Sequence, residues 1–290
     1  MKKRSCGTHN GSFHADEVTA CALLLLFDLI DKDKIVRSRD QAVLDECEYV
    51  CDVGGIYDPK IKRFDHHQVD YQGPLSSAGM ILNYLNDNKI IEEKFFRHLR
   101  DSLVLGVDLH DNGKIQLESG ICSFSHIISN FMPIDYSASS KQLDEAFFKA
   151  VDFTLAHLKR MQQRFTYALD CRKIVEVEMA KKSECLFFDR PLPWLDNFFS
   201  LGGENHPAKF VIMPAHEHWK LRGIPPNLKN RMKVRSPLPE VWAGLQNQEL
   251  KQKSGIDGAI FCHKGRFISI WETKEDAIQA LEWILNKEKS

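Results

Sequence analysis

The chain has 290 residues, 43% of them hydrophobic and 27% charged, with 39 basic against 40 acidic side chains and a formal net charge of −1. This length admits one large core or two moderate ones, and the balance excludes an intrinsically disordered chain. A nearly neutral chain excludes any argument for a nucleic-acid partner from global charge, so a basic surface would have to be local.

The opening Met1-Lys2-Lys3-Arg4 runs directly into polar residues and is not read as a signal peptide. Acidic Glu17 opens a stretch rich in Ala and Leu that reads as a helix to Leu29. The apolar run from Ala20 to Ile30 is too short to span a bilayer, so no membrane partner is expected. Tyr49 to Val53 reads as a strand closed by Gly54-Gly55, and Lys62-Arg63-Phe64 as another. Helical patterns follow from Ala78 to Asn86 and from Glu92 to Asp108, the second stopped at Asn112-Gly113. Strands alternating with helices predict an α/β class, a mostly parallel sheet with helices on both faces.

A long helix is predicted from Lys141 to Ala168 or beyond, with Phe147, Val151, Leu155, Leu158, Met161 and Phe165 at three- and four-residue spacing. After it come strand-like runs at Leu186–Phe188, Phe210–Met213, Ala259–Cys262 and Phe267–Trp271, and a helix from Lys274 to Asn286. The last two strands read as a hairpin through His263 to Arg266. The expected organisation is a catalytic domain at 1–135, a helical connector at 136–182 and a smaller α+β substrate domain at 183–290. The eight cysteines form no Cys-x-x-Cys pair and are expected to be reduced thiols in a cytoplasmic protein.

Four segments concentrate the chemistry: His9-Asn10-Gly11-Ser12-Phe13-His14-Ala15-Asp16-Glu17, then Asp52, then Asp65-His66-His67, then Asp108-Leu109-His110-Asp111. His9, Asp52 and Asp65 to His67 follow strand-like runs, and ligands of open α/β sheets collect at the carboxyl ends of strands. A His and Asp set without paired thiolates suits Mn²⁺, Mg²⁺ or catalytic Zn²⁺. Six ligands exceed what one ion with open positions needs, so two ions sharing a carboxylate are expected. The plainer readings are a turn cap at Asp52, turn chemistry or site contact at Asp111, and a favourable first-turn charge at Glu17.

Asp65-His66-His67, after the His-rich first motif and Asp52 and before Asp108, resembles the DHH phosphoesterase superfamily. The forms His9-x-Gly-x-Phe-His14-x-Asp16-Glu17, Asp52-Val53-Gly54-Gly55 and Val107-Asp108-x-x-Asp111-Asn112-Gly113 are similar to its MYG exonuclease branch. So are Arg235 to Glu240 and Ser254 to Gly258. The resemblance implies a metal-dependent phosphodiesterase, an exonuclease on RNA or short oligonucleotides, using two divalent ions, manganese first among them. It implies that His9 and His14 bind one ion, that Asp52 bridges both, and that Asp16, His66 and Asp108 hold the second. His67 would face the substrate phosphate and Asp65 would orient a neighbouring imidazole. His14 stands where the wider superfamily has an aspartate, a neutral ligand in place of an anionic one.

Signals are thinner in the second domain. Lys229, Arg231, Lys233 and Arg235 alternate, so an extended segment would align them on one face, either to grip phosphates or to protect a sheet edge. Arg231 and Arg235 are the substrate-binding candidates, and Gly202, Gly203 and His206 form a weaker one. Two rivals stand beside the exonuclease: a metallophosphatase for a nucleotide or pyrophosphate, and a catalytically silent, metal-stabilised binding module. A zinc deaminase is disfavoured because no Pro-Cys-x-x-Cys accompanies His14-Ala15-Asp16-Glu17.

Overall fold

The computed structural model describes residues 1–115 and 118–288. It divides into two compact units, Met1–Phe165 and Thr166–Ser290. The first holds β1 (Lys2–Thr8), α1 (Ala15–Leu26), β2 (Ile35–Arg37), α2 (Gln41–Asp45), β3 (Cys47–Cys51), β4 (Tyr57–Asp58) and β5 (Arg63–Phe64). It continues with α3 (Ser77–Asp87), α4 (Glu93–Leu99), α5 (Leu105–Asp111) and α6 (Phe124–Ser129). Helix α7 (Ser140–Ala180) contains the boundary between the units.

The first sheet has the order β2-β1-β3-β5-β4, parallel except for β4 against β5. On one face Cys6, Tyr49, Cys51 and Phe64 join the main core, packed with Val18, Leu23, Met80 and Val107 from the helices. On the other, Leu44 of α2 covers Val50 and Val53 in a small cluster. Gly7 is required there, because a Cβ would lie 2.8 Å from Leu44 Cδ2. Helices therefore cover both faces unequally. Ten of the twelve residues of α1 are buried, which suits a helix apolar nearly all round. The helix read as continuous from Glu92 is interrupted by a π-helical turn at Arg100–Val104. Such a turn shifts the face that the following residues present.

The second unit holds β6 (Cys185–Phe187), α8 (Leu195–Ser200), β7 (Phe210–Ala215), β8 (His218–Gly223), α9 (Asn247–Ser254), β9 (Ala259–Cys262), β10 (Ile268–Trp271) and α10 (Lys274–Glu288). Its sheet runs β6-β7-β8-β10-β9, with only β6 parallel to its neighbour. One core gathers Phe210, Leu221, Trp242, Trp271 and Leu281, and a second gathers Val175, Leu186, Phe198 and Val211. The row from Lys229 to Arg235 is not extended. Leu228–Asn230 is a 3₁₀ turn, and the Lys233 N–H closes back on the Asn230 carbonyl, so the four basic residues share no strand face. All eight cysteines are free thiols, and no described helix is long and apolar enough to cross a membrane.

Candidate metal centre

Because β1, β3 and β5 are parallel, their carboxyl ends share one sheet edge, and each is followed by candidate ligands: His9, Asp52, and Asp65 to His67. The first turn of α1 adds His14, Asp16 and Glu17, and the last turn of α5 adds Asp108 and Asp111. Asp52 adopts φ +59°, a left-handed conformation that costs an ordinary residue roughly 1–2 kcal/mol and that Asp tolerates better than most. Its N–H donates to the Phe64 carbonyl at 3.0 Å, so pairing to β5 holds the turn. Strain of this kind persists where the surroundings impose it, commonly at functional sites.

Asp52 is 3% exposed and is the hub. Its Oδ2 lies 3.3 Å from His9 Nε2, and its Oδ1 lies 3.4 Å from both His66 Nε2 and His67 Nδ1. His9 Nε2 is also 3.1 Å from Glu17 Oε1. His66 Nε2 is 3.1 Å from Asp111 Oδ2 and 3.8 Å from Asp16 Oδ2. Three overlapping groups result, in each of which ligand atoms lie within 4.8 Å of one another: His9, His14, Glu17 and Asp52; Asp52, His66 and His67; Asp16, His66 and Asp111. Exposed His14 joins through its ring, whose centroid is 6.2 Å from that of His9.

Asp108 stands one step back. Its Oδ1 accepts from the Ser76 and Gly79 N–H groups at 3.0 and 3.1 Å and faces Ser76 Oγ at 2.7 Å. Ser76 Oγ also lies 2.6 Å from Asp16 Oδ1, while Asp16 accepts from the Ser77 and Ala78 N–H groups. The amino end of α3 thus clamps Asp16 and Asp108 together, as unsatisfied helix N–H groups favour. Asp111, not Asp108, is the carboxylate on His66. Glu17 and Asp111 join the ligand groups, although a first-turn acid and an acid before Asn-Gly both have ordinary explanations in the sequence. Asp65 Oδ2 accepts from the Gly55 N–H at 2.6 Å, and its Oδ1 accepts from His67 Nδ1 at 2.8 Å. Asp65 therefore orients His67, whose side chain is 63% exposed.

Electrostatics at this edge are one-sided. Among the described residues no Lys or Arg pairs with Asp16, Glu17, Asp52, Asp65, Asp108 or Asp111. Burial pushes the Asp16 carboxyl well up, and Asp52 and Asp111 add to the effect. Burial works against a charged His9, yet Asp52 and Glu17 push it up to about 10. His66 rises likewise to about 10 against its burial, through Asp111 and Asp52. Burial would raise Asp52, but His66 and His9 draw it down to about 2.

The residues fit a divalent cation. Asp52 Oδ1 and His66 Nε2 are sealed from solvent and face each other, but neither makes a hydrogen bond. A cation accepting a lone pair from each would satisfy both, and imidazole with carboxylate suits Mn²⁺, Mg²⁺ or Zn²⁺.

The substrate candidates of the second unit sit differently. The guanidinium of Arg235 donates to five carbonyls: Pro225 from Nε, His206 and Ala208 from Nη1, Gly203 and Glu204 from Nη2. All five N–H donors are used, and none is left for a phosphate. Arg231 is exposed and pairs with Asp196 at 2.8 Å. His206 is buried, with Nε2 on the Met179 carbonyl and Nδ1 accepting from the Ala208 N–H. Gly202 takes φ +85° and Gly203 packs on Phe198, so this segment is a turn anchored in the core.

The family model for MYG1 exonuclease, described as uncharacterised protein family UPF0160, matches residues 5–282. A MYG1 protein of Chlamydia trachomatis is 53% identical over 286 residues, 99% of this chain and 98% of its own. A MYG1 exonuclease of Bos taurus is 31% identical over 315 residues, 94% of this chain and 82% of its own. The crystal structure of Thermus thermophilus RecJ in complex with Mn²⁺ aligns over 97% of this chain and 52% of its own, at 9% identity and a TM-score of 0.29. That likeness is too weak to carry weight.

Proposed function

We propose, on the premise that this chain belongs to the MYG1 exonuclease family, that it is a two-metal phosphodiesterase removing nucleotides from the ends of RNA or short oligonucleotides. The observation that carries the reading is the facing pair Asp52 Oδ1 and His66 Nε2, sealed from solvent and without a well-formed hydrogen bond, with one or both of the two residues in each of the three ligand groups. His9, His14, Glu17 and Asp52 would hold one ion, and Asp52, Asp16, His66 and Asp111 the other. Manganese is the ion proposed. The chemistry such ions supply is Lewis acidity toward a phosphoryl oxygen and acidification of water.

The chain's own residues have separate tasks. Asp52 sets the spacing of the two groups, since both include it. Ser76 and the first N–H groups of α3 fix Asp16 and Asp108, so neither carboxylate needs to reorganise when substrate arrives. Asp65 holds Nδ1 of His67 and leaves its exposed ring able to donate to an anionic phosphate oxygen. The test is incubation of the Mn²⁺-loaded protein with end-labelled oligonucleotides, dinucleotides and pyrophosphate. Stepwise shortening of oligonucleotides, lost in Asp52→Asn, supports the exonuclease. Hydrolysis of pyrophosphate alone would replace it with the phosphatase, and no turnover of any substrate would leave the silent binding module.

A further inference from the structure

Arg222 contrasts with Arg235. Both are half-buried arginines of the second unit, but Arg222 makes no side-chain hydrogen bond and no ion pair among the described residues, and its Nε is sealed from water. Lys220, two residues earlier on β8, is also half-buried and has no carboxylate partner. Residues two apart on a strand point to the same face, so the two cations stand side by side. Burial lowers both groups, and Arg222 lowers Lys220 further by repulsion. A fold gains nothing from two adjacent, unpaired, partly desolvated cations.

The neighbours on that face are apolar and aromatic; on the β7 side Val211 opposite Arg222 and Met213 opposite Lys220 are buried in the second core. Ile268 lies opposite Arg222 and Ile270 opposite Lys220, while Ile270 lies opposite Phe261 on the far side. All three are half-buried. His263 stands between Phe261 and Phe267, with ring centroids 6.1 and 4.4 Å away. Glu272, the acidic residue next along β10, is exposed beyond the strand and pairs with neither cation. The row Lys220, Ile270, Phe261 therefore carries a cation and a ring two strand spacings apart, about 10 Å. Phosphate held by unpaired cations, with bases on nearby rings, is how single strands are bound without sequence reading.

We propose that the face of β8, β10 and β9 that carries Lys220 and Arg222, with the ring cluster Phe261, His263 and Phe267, is a binding platform for single-stranded oligonucleotide. This rests on the phosphodiesterase reading for its biological sense, but its test does not. Binding of a fluorescein-labelled single-stranded RNA octamer is measured by anisotropy in EDTA, where no turnover occurs, across a salt series. Arg222→Gln and Lys220→Gln are expected to weaken binding about tenfold and to make the salt slope shallower by about 0.7 each. Phe261→Ala should weaken binding with the salt slope unchanged. Lys253→Gln, which removes an exposed charge on α9, should bind like the parent. Tryptophan fluorescence melts verify folding, and the Gln variants should melt no lower than the parent, because an uncompensated charge has been removed.

Wild-type affinity in Arg222→Gln and Lys220→Gln would overturn the proposal. So would equal losses in Lys253→Gln, which would mark a nonspecific charge effect, or a large fall in melting temperature, which would make the pair structural. If the octamer binds through this face while no Mn²⁺-loaded sample hydrolyses any phosphodiester, the platform stands and the proposed activity falls.

Discussion

Replacing Arg235 by alanine should unfold the second unit at lower temperature rather than weaken a phosphate contact. Its guanidinium joins five carbonyls from residues 203 to 225 and lies over Phe198, 5.4 Å from the ring centroid. Hydrogen bonds from a charged donor contribute about 1.5–3 kcal/mol each, but they are not additive, and water will reach some of the freed carbonyls. If about two carbonyls stay buried without a partner, at roughly 1–3 kcal/mol each, and the ring contact adds about 0.5–1 kcal/mol, the loss is about 2.5–7 kcal/mol. For a unit of this size each kcal/mol moves the midpoint by roughly 3–5 °C, giving a fall of about 8–35 °C. All five tryptophans lie in the second unit, so their fluorescence follows this unit. Arg235→Lys should recover little, because three mobile donors cannot replace a planar fork. A midpoint within about 2 °C of the parent, with oligonucleotide affinity lost and its salt slope reduced, would refute this reasoning and restore the phosphate grip.

His66→Ala should lose metal, whereas His67→Ala should keep it and lose about 10²–10³ in single-turnover rate, as for deletion of one transition-state donor; equal metal loss in both would reverse these roles. Asp111→Asn should lower metal affinity more directly than Asp108→Asn, read by isothermal titration with Mn²⁺, and the opposite order would return Asp108 to the ligand set. Gly79→Ala places a Cβ 2.3 Å from Asp108 Oδ2, so the roughly 1 kcal/mol of helix propensity that Ala brings should be outweighed and the thermal midpoint should fall; a rise would show that Asp108 yields freely. In the metal-free protein His9 and His66 stand near 10, above the usual histidine value. Their stabilisation is therefore complete below about pH 6.5 and is lost as pH rises through about 10. Cations must displace these protons, so at pH 8 binding should release protons and tighten as pH rises, as titrations in buffers of different ionisation enthalpy would show.

The sheet edge was legible because β-prone runs ended in His or Asp, and the parallel order of β1, β3 and β5 brings those ends together. That Asp111 rather than Asp108 lies beside His66 was not legible. It follows from the π-turn at Arg100–Val104, which no fixed helical period anticipates, and from Ser76 and Gly79, which claim Asp108 from another helix. Glu17 was hidden by its double role, since it also accepts from the His14 N–H. In the second unit the alternating row from Lys229 suggested a strand, but Asn227 and Asn230 turn the chain instead. Arg235 and Arg222 cannot be told apart by sequence, because what separates them is five carbonyls brought in from distant loops.

The most direct test of the central claim is anomalous diffraction from crystals soaked in Mn²⁺. Anomalous density is expected in contact with the Asp52 carboxylate and His66 Nε2, with a second peak sharing Asp52 with His9 and Glu17. Crystals in which Asp52 and His66 close on each other, with no anomalous density in reach of either, would contradict it.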